Sequence, residues 1–405
     1  MKFETKLVNL EVKDDYGATN TPIYLNNSFA YDKAEDLEEV FKGQSPGYIY
    51  TRIGNPSLKA VEDKLASLEG GVTGLLTASG MAAISTATLA LLEAGDEFVA
   101  TSSLFGGTYN LFKSYQRFGI KPCFASGIEK DDIAKELSEK TKFVFLETLG
   151  NPGLDIPDIK GIAKLCKEKE IPLLVDSTMT SPALIKPLEL GADIVLHSTS
   201  KYINGTGSSI GGVIVDGGSF DWTKLSGFED YEKFKKMAFS AKIRGETFRN
   251  LGTCQSPIEA SLNELGLSTL ALRMERHCQN ALELAQFLAD EPKVKEVVYP
   301  GLKDNQYYKR ASDLFTGGYG GMLTLRVGNR ENAFKVINNL DYFYNLANLG
   351  DVKSLIIHPA STIYTNNTPK ERKMLGVYDD LLRVSVGIEN IEDLKKDFKK
   401  VLSKI

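Results

Sequence analysis

Histidine, cysteine and tryptophan are scarce: three, four and one in 405 residues. His197, His277 and His358 lie far apart, and Cys123, Cys166, Cys254 and Cys278 form no CxxC pair and no zinc-like spacing. This points away from a His-based metal centre and a Ser-His-Asp hydrolase, and the cysteines read as packing residues. His277 and Cys278 are adjacent on a helical stretch and face different ways, so neither is expected to ligate metal. A basic excess is lacking too. Lys+Arg 48 against Asp+Glu 53 gives −5, so no nucleic-acid partner is expected, since one would need a basic face. No apolar run approaches the roughly 18–20 residues of a membrane span, so no membrane partner is expected. Met1-Lys2-Phe3-Glu4-Thr5-Lys6 has no apolar signal-peptide core. A cytoplasmic, reducing location is the expectation.

What the chain does contain is alternation. Residues 1–55 have weak periodicity and many Asn, Tyr, Gly and Pro residues, which suggests an extended arm. Residues 56–250 alternate helical and strand patterns. Pro56 to Gly70 carries Leu58, Val61, Leu65 and Leu68 at helical spacing and ends in Gly-Gly. Ser79 to Leu92 is apolar nearly all round, so it predicts a buried helix. Strand-like runs follow at Glu97–Thr101, Lys121–Ala125, Lys142–Glu147, Ile171–Asp176, Asp193–His197 and Gly212–Asp216, with helical stretches between several of them. Strands joined by crossover helices predict an α/β unit with a mostly parallel sheet covered on both faces. Residues 251–405 open with a long helical stretch, Pro257 to Leu288, broken near Gly266. Mixed strands and helices follow, which suggest a smaller α+β domain.

Ligands of open parallel sheets sit beyond the carboxyl ends of the strands. The residues there are Asp176, Ser198-Thr199-Ser200-Lys201-Tyr202 and Glu147-Thr148-Leu149-Gly150-Asn151-Pro152, with Ser79-Gly80-Met81 opening the buried helix. Each piece has an ordinary reading: a solvated lysine, a capping aspartate, a capping serine. Together they are what pyridoxal phosphate requires. A lysine amine forms a Schiff base with the aldehyde, and a carboxylate keeps the pyridine nitrogen protonated. A helix N-terminus with small residues takes the phosphate. The glycines Gly205, Gly207 and Gly211 miss the dinucleotide fingerprint by one residue.

The combination resembles the cysteine/methionine-metabolism family of pyridoxal-phosphate enzymes, which includes cystathionine γ-synthase, cystathionine lyases, methionine γ-lyase and O-acetylhomoserine sulfhydrylase. The matching pieces run in the family's order over nearly the whole chain: Tyr50-Thr51-Arg52-Ile53-Gly54-Asn55-Pro56, Ser79-Gly80-Met81, Glu147 to Pro152, Val175-Asp176-Ser177-Thr178, His197 to Tyr202, and Leu382-Arg383-Val384-Ser385-Val386-Gly387. The resemblance implies an aspartate-aminotransferase-like, fold-type-I architecture: a large cofactor domain with a mostly parallel seven-stranded sheet, over 56–250, and a smaller C-terminal domain, over 251–405. It implies that Lys201 carries the cofactor and moves the Cα and Cβ protons. Asp176 would face the pyridine nitrogen and Asn151 the ring 3-oxygen. Ser79, Gly80, Met81, Ser198 and Ser200 would hold the phosphate, Phe105 would stack on the ring, and Arg383 and Asn348 would bind substrate. Tyr50 and Arg52 would reach the phosphate of a neighbouring subunit, so that 1–55 is an arm on a homo-oligomer, a tetramer built from dimers.

Departures from the family pattern are Phe105 where a tyrosine is usual, Ser177 in place of Asn, and Thr206 where several members have His. Within the family, Asn345 to Thr362, Leu272 to His277 and Phe105 to Phe112 are similar to the O-acetylhomoserine sulfhydrylase pattern. Ala347 stands where cystathionine γ-lyases tend to carry Glu. The resemblance therefore implies replacement of acetate on O-acetylhomoserine by sulfide or a small thiol, giving homocysteine for methionine biosynthesis. Methionine γ-lyase or another cystathionine-type synthase or lyase is the alternative.

Overall fold

A computed structural model describes residues 1–9 and 16–405, so residues 10–15 of the expected arm lie outside the described residues. A seven-stranded sheet forms the larger part of the molecule. Its strands are β1 (Thr73–Thr77), β2 (Glu97–Ala100), β3 (Lys121–Phe124), β4 (Thr141–Glu147), β5 (Leu173–Asp176), β6 (Ile194–Ser198) and β7 (Gly212–Asp216). The order is β1-β7-β6-β5-β4-β2-β3, and only β7 runs against its neighbours. The apolar runs are continuous because both faces are covered. Val144, Leu146, Val175 and Val195 enter one core, and Phe143, Phe145, Leu174 and Leu196 enter the other.

Five further strands form the second sheet: β8 (Glu296–Val298), β9 (Met322–Arg326), β10 (Tyr344–Asn345), β11 (Leu355–Ile357) and β12 (Leu381–Ser385), in the order β10-β11-β12-β9-β8. The terminal helix Ile391–Leu402 buries Leu394, Phe398, Val401 and Leu402 in this domain's own core.

The helix Gly80–Leu89 ends three residues before the apolar pattern does. The chain leaves it at Ala90, and the Asp96 carboxylate accepts the Glu93 N–H at 2.7 Å to turn it toward β2. The long C-terminal pattern is two helices, Pro257–Ser268 and Leu270–Ala289. The break falls at Thr269, not Gly266. Gly266 is helical because the chain passes close there: a Cβ would sit 2.4 Å from the Asn204 carbonyl oxygen. The helix Leu270–Ala289 serves two cores. Leu270, Met274 and Cys278 pack with the large sheet, and Ala281, Leu284, Ala285 and Leu288 with the small one.

The first segment contains two short helices that its weak periodicity concealed, Phe3–Val8 and Ala34–Phe41. Leu7 of the first is buried in the large core, whereas the second buries no residue against its own chain. The cysteines are unpaired, with Cys123, Cys166 and Cys278 buried. Among the described residues, no group of His, Cys, Asp and Glu is arranged to hold a metal ion, and no helix is long and apolar enough to cross a membrane.

Candidate active site

Strands β4, β5 and β6 are parallel neighbours, so their carboxyl ends deliver Glu147, Asp176 and the Ser198–Lys201 turn to one edge of the sheet. A cavity of about 340 Å³ opens there. Of the residues expected from sequence, Ser79, Gly80, Met81, Phe105, Asn151, Asp176, Ser198, Ser200, Lys201, Asn348 and Arg383 line it. Tyr50 and Arg52 do not line it. The Arg52 guanidinium lies 5.5 Å from the Tyr50 ring centre and donates to the Arg249 carbonyl at 2.6 Å.

The Lys201 amine donates to the Asn348 side-chain oxygen at 2.5 Å. Burial, with the Arg383 charge adding to it, pulls its pKa down to about 8. Arg383, on β12, is 4% exposed. It donates to the Asn151 side-chain oxygen at 3.1 Å and to the Asn348 carbonyl at 3.0 Å. Burial lowers its pKa to about 10, leaving it a cation at neutral pH with no carboxylate partner among the described residues. An anion suits it.

Ser79 caps the helix Gly80–Leu89, its hydroxyl accepting the Ala82 N–H at 3.0 Å. The Gly80 and Met81 N–H groups belong to the first turn and meet no acceptor among the described residues. Gly80 also lets the helix abut β6, since a Cβ there would lie 2.6 Å from the Ser198 Cβ. Ser198 donates its N–H to the Thr178 hydroxyl at 2.8 Å, and Ser200 exchanges hydrogen bonds with the Gly211 backbone. The result is a small cup of hydroxyls and free N–H groups, chemically suited to a phosphate.

Asp176 accepts the Thr178 N–H at 2.8 Å. Burial raises its pKa, as expected of a carboxylate short of a cation. A protonated ring nitrogen would supply one. These residues fit pyridoxal phosphate: a desolvated lysine, an uncompensated carboxylate and a phosphate cup share one cavity.

Two departures noted in the sequence leave the cavity lining intact. Ser177 turns away to bond Thr180 at 2.8 Å, and Thr206 bonds Asn204 at 3.1 Å. His197 is paired with Glu69 at 2.6 Å and His358 with Ser361 at 2.8 Å, while His277 meets the Val386 carbonyl at 2.7 Å.

Sequence reasoning assigned no role to Glu147, Thr108, Thr178, Met179, Leu349 or Ile363, all of which line the cavity. It also passed over Tyr364, whose buried hydroxyl donates to the Asn151 carbonyl at 2.8 Å. Glu147 and Thr178 stood in motifs already singled out by their position after a strand. Thr108 and Leu349 lay inside the stretches similar to the sulfhydrylase pattern, Ile363 and Tyr364 directly follow one of them, and nothing in the sequence signalled Met179.

Fold and cavity together define a pyridoxal-phosphate-dependent enzyme of fold type I. More particularly, the chain belongs to the Cys/Met metabolism PLP-dependent enzymes, whose family model matches residues 4–403. It is 42% identical to the O-acetyl-L-homoserine sulfhydrylase of Leptospira meyeri, over 95% of this chain and 92% of that one. It is 40% identical to the homocysteine synthase of Schizosaccharomyces pombe, over 99% and 98%. Among solved structures, a Campylobacter jejuni chain assigned as an O-acetylhomoserine (thiol)-lyase superposes with TM-score 0.96 at 32% identity, covering 100% of both chains. That chain carries N′-pyridoxyl-lysine-5′-monophosphate. Cystathionine gamma synthase from Xanthomonas oryzae pv. oryzae, solved with aminoacrylate and cysteine, superposes with TM-score 0.89 at 33% identity, covering 100% of this chain and 98% of that one.

Proposed function

We propose that this enzyme exchanges the acetate of O-acetylhomoserine for sulfide, or a small thiol, and releases homocysteine and acetate as a step in methionine biosynthesis. The observation that carries this reading is the Lys201 amine, desolvated and 2.5 Å from Asn348, in one cavity with Arg383 and Ala347.

Pyridoxal phosphate, when bound, supplies an electron sink for charge developing at the substrate's Cα and Cβ. Asp176 would hold the ring nitrogen, Asn151 the ring oxygen, and the Ser79–Met81 turn with Ser198 and Ser200 the phosphate. Arg383 clamps the substrate carboxylate through two N–H groups, a geometry that lysine lacks. Lys201, with its amine near 8 when free, would take the Cα proton and then a Cβ proton as the Cγ–O bond to acetate breaks; sulfide would add at Cγ, and the protons would return to Cβ and Cα. Ala347 places no carboxylate in the cavity to meet a second amino group, which disfavours cystathionine. Phe105 offers no hydroxyl, and acetate, a good leaving group, needs little acid assistance.

The same reading takes residues 1–55 as an arm, 56–250 as the cofactor domain and 251–405 as the C-terminal domain. It takes the working form as a cytoplasmic homo-oligomer, a tetramer built from dimers, in which Tyr50 and Arg52 complete a neighbour's phosphate site. Exposed Leu25 and Tyr50, and the helix Ala34–Phe41 with no buried residue, support a covering partner.

The deciding assay compares O-acetylhomoserine plus sulfide with methionine alone and with cystathionine alone. Homocysteine formation should dominate. The likeness to a cystathionine gamma synthase favours a γ-synthase or γ-lyase as the second reading. Rapid methanethiol release or cystathionine turnover would establish a lyase, and cystathionine formed when cysteine replaces sulfide would establish a γ-synthase, each with little homocysteine.

A further inference from the structure

The cavity holds one carboxylate more than this chemistry uses. Glu147 closes β4, Asp176 closes β5, and the two are paired in register across adjacent parallel strands. Both line the cavity, and Glu147 is only 5% exposed. One Glu147 oxygen accepts the backbone N–H of Phe105 at 2.7 Å. Asp176 faces it from β5, and Tyr364 lies near it from the small domain. The cavity's cations are engaged elsewhere, Lys201 on Asn348 and Arg383 on Asn151 and Asn348.

Two carboxylates buried side by side do not both ionise when a protonated ring nitrogen brings a single positive charge to the pair. Asp176 is the better anion. It receives hydrogen bonds from Thr178 and feels His197, which offset part of the effect of burial. Glu147 has a single backbone donor, and burial, then the Asp176 charge, push its pKa well up.

We propose that Glu147 is an uncharged positioning residue, which anchors the Phe105 backbone at the cavity and leaves Asp176 as the sole anion beside the ring nitrogen. Phe105 precedes the helix Gly106–Ser114 and has no side-chain cap, so its N–H bond to Glu147 fixes where the chain enters that helix. From the far side Tyr364 presses on Gly106, where a Cβ would lie 3.2 Å from its ring. Glu147 thus holds the Phe105 backbone, and Tyr364 crowds the residue that follows it.

The inference rests on Asp176 as the ring-nitrogen partner, so the experiment includes Asp176→Asn with Glu147→Gln and Glu147→Ala. The readouts are cofactor Kd, the pH titration of the bound cofactor's absorption, its visible circular dichroism, and Tm between pH 6 and 8. None of them depends on the substrate. Glu147→Gln replaces an uncharged acid by an uncharged acceptor, so Kd should stay within about threefold of wild type and the titration midpoint should not move. A group whose folded pKa is raised contributes stability that is lost as pH rises through that pKa, so the Tm of Glu147→Gln should gain on wild type as pH rises. Glu147→Ala removes the acceptor and should lower the circular dichroism of the bound cofactor at least about twofold, with the Gln variant restoring it. A tenfold or larger loss of cofactor affinity in Glu147→Gln, or a midpoint moved by about one pH unit, would show Glu147 to be an anion and overturn the proposal. Equal circular dichroism in the Ala variant and wild type would overturn the positioning role. If the Ala variant does not fold, the Gln titration and Tm decide. An unchanged spectrum in Asp176→Asn would instead remove the assignment beneath the proposal.

Discussion

Asn348 engages both cations of the cavity, accepting the Lys201 amine on its side-chain oxygen at 2.5 Å and the Arg383 guanidinium on its backbone carbonyl at 3.0 Å. Lys201 follows a strand of the large sheet and Arg383 lies on the small one, so this one residue sets the spacing between the proposed base and the proposed carboxylate clamp.

Asn348→Ala keeps the carbonyl and deletes the side-chain oxygen. A hydrogen bond to a charged group contributes about 1.5–3 kcal/mol, so kcat/KM should fall roughly 10- to 150-fold. Separate measurement of kcat and KM should show both affected, because the side chain orients the base as well as the substrate. An unchanged kcat would mean that Asn348 does not orient Lys201.

The Lys201 amine is held down to about 8, against 10.5 for an exposed lysine. Only the neutral amine attacks an aldehyde. The rate at which cofactor-free protein takes up pyridoxal phosphate should therefore climb through pH 8 and level off above it. Stopped-flow absorbance across pH 6.5–10.5 reads this directly. A midpoint near 10 would contradict the desolvated position, and Lys201→Ala should show no covalent phase at any pH.

Gly80→Ala places a methyl 2.6 Å from the Ser198 Cβ. The helix must retreat from β6, and the free N–H groups of its first turn move with it. Overpacking of this kind costs about 1–3 kcal/mol, and cofactor Kd should weaken about tenfold or more. Equilibrium dialysis gives the affinity and a thermal melt the stability. Full affinity in a stable variant would place the phosphate elsewhere.

Arg52 lies outside its own chain's cavity, which allows a complementation test. Lys201→Ala and Arg52→Ala subunits, each nearly inactive alone, are denatured together and reassembled. In mixed dimers one site carries both substitutions and the other neither. Random pairing should therefore restore about a quarter of wild-type activity. No recovery, with mixed assembly verified by mass, would confine each site to one chain.

The central strands and the lysine were legible because their signals are local. Phe143 to Leu146 and Leu173 to Val175 are unbroken apolar runs, and Lys201 lies in the turn after a third, Ile194 to Leu196. β1 escaped notice because Thr73-Gly74-Leu75-Leu76-Thr77 has two aliphatic residues and a glycine, and gains its stability from pairing with the distant β7, in register from Thr77↔Gly212 to Thr73↔Asp216, rather than from its own composition. Glu147 could not be weighed because its meaning depends on β4 lying beside β5. That adjacency belongs to the sheet order, which no single segment encodes. Tyr364 was unread for the same reason, since its partner Asn151 is 213 positions away.

The helix Leu270–Ala289 was described as shared by two cores, and its 20 residues make a rod about 30 Å long. A rod embedded at both ends is a poor hinge. Closing the domains around a ligand would mean tilting it against packed side chains on both sides. The cavity is accordingly built to a fixed size. Selection among homoserine derivatives and thiols then falls to the shape of a preformed mould, and binding energy is not diverted into drawing the domains together.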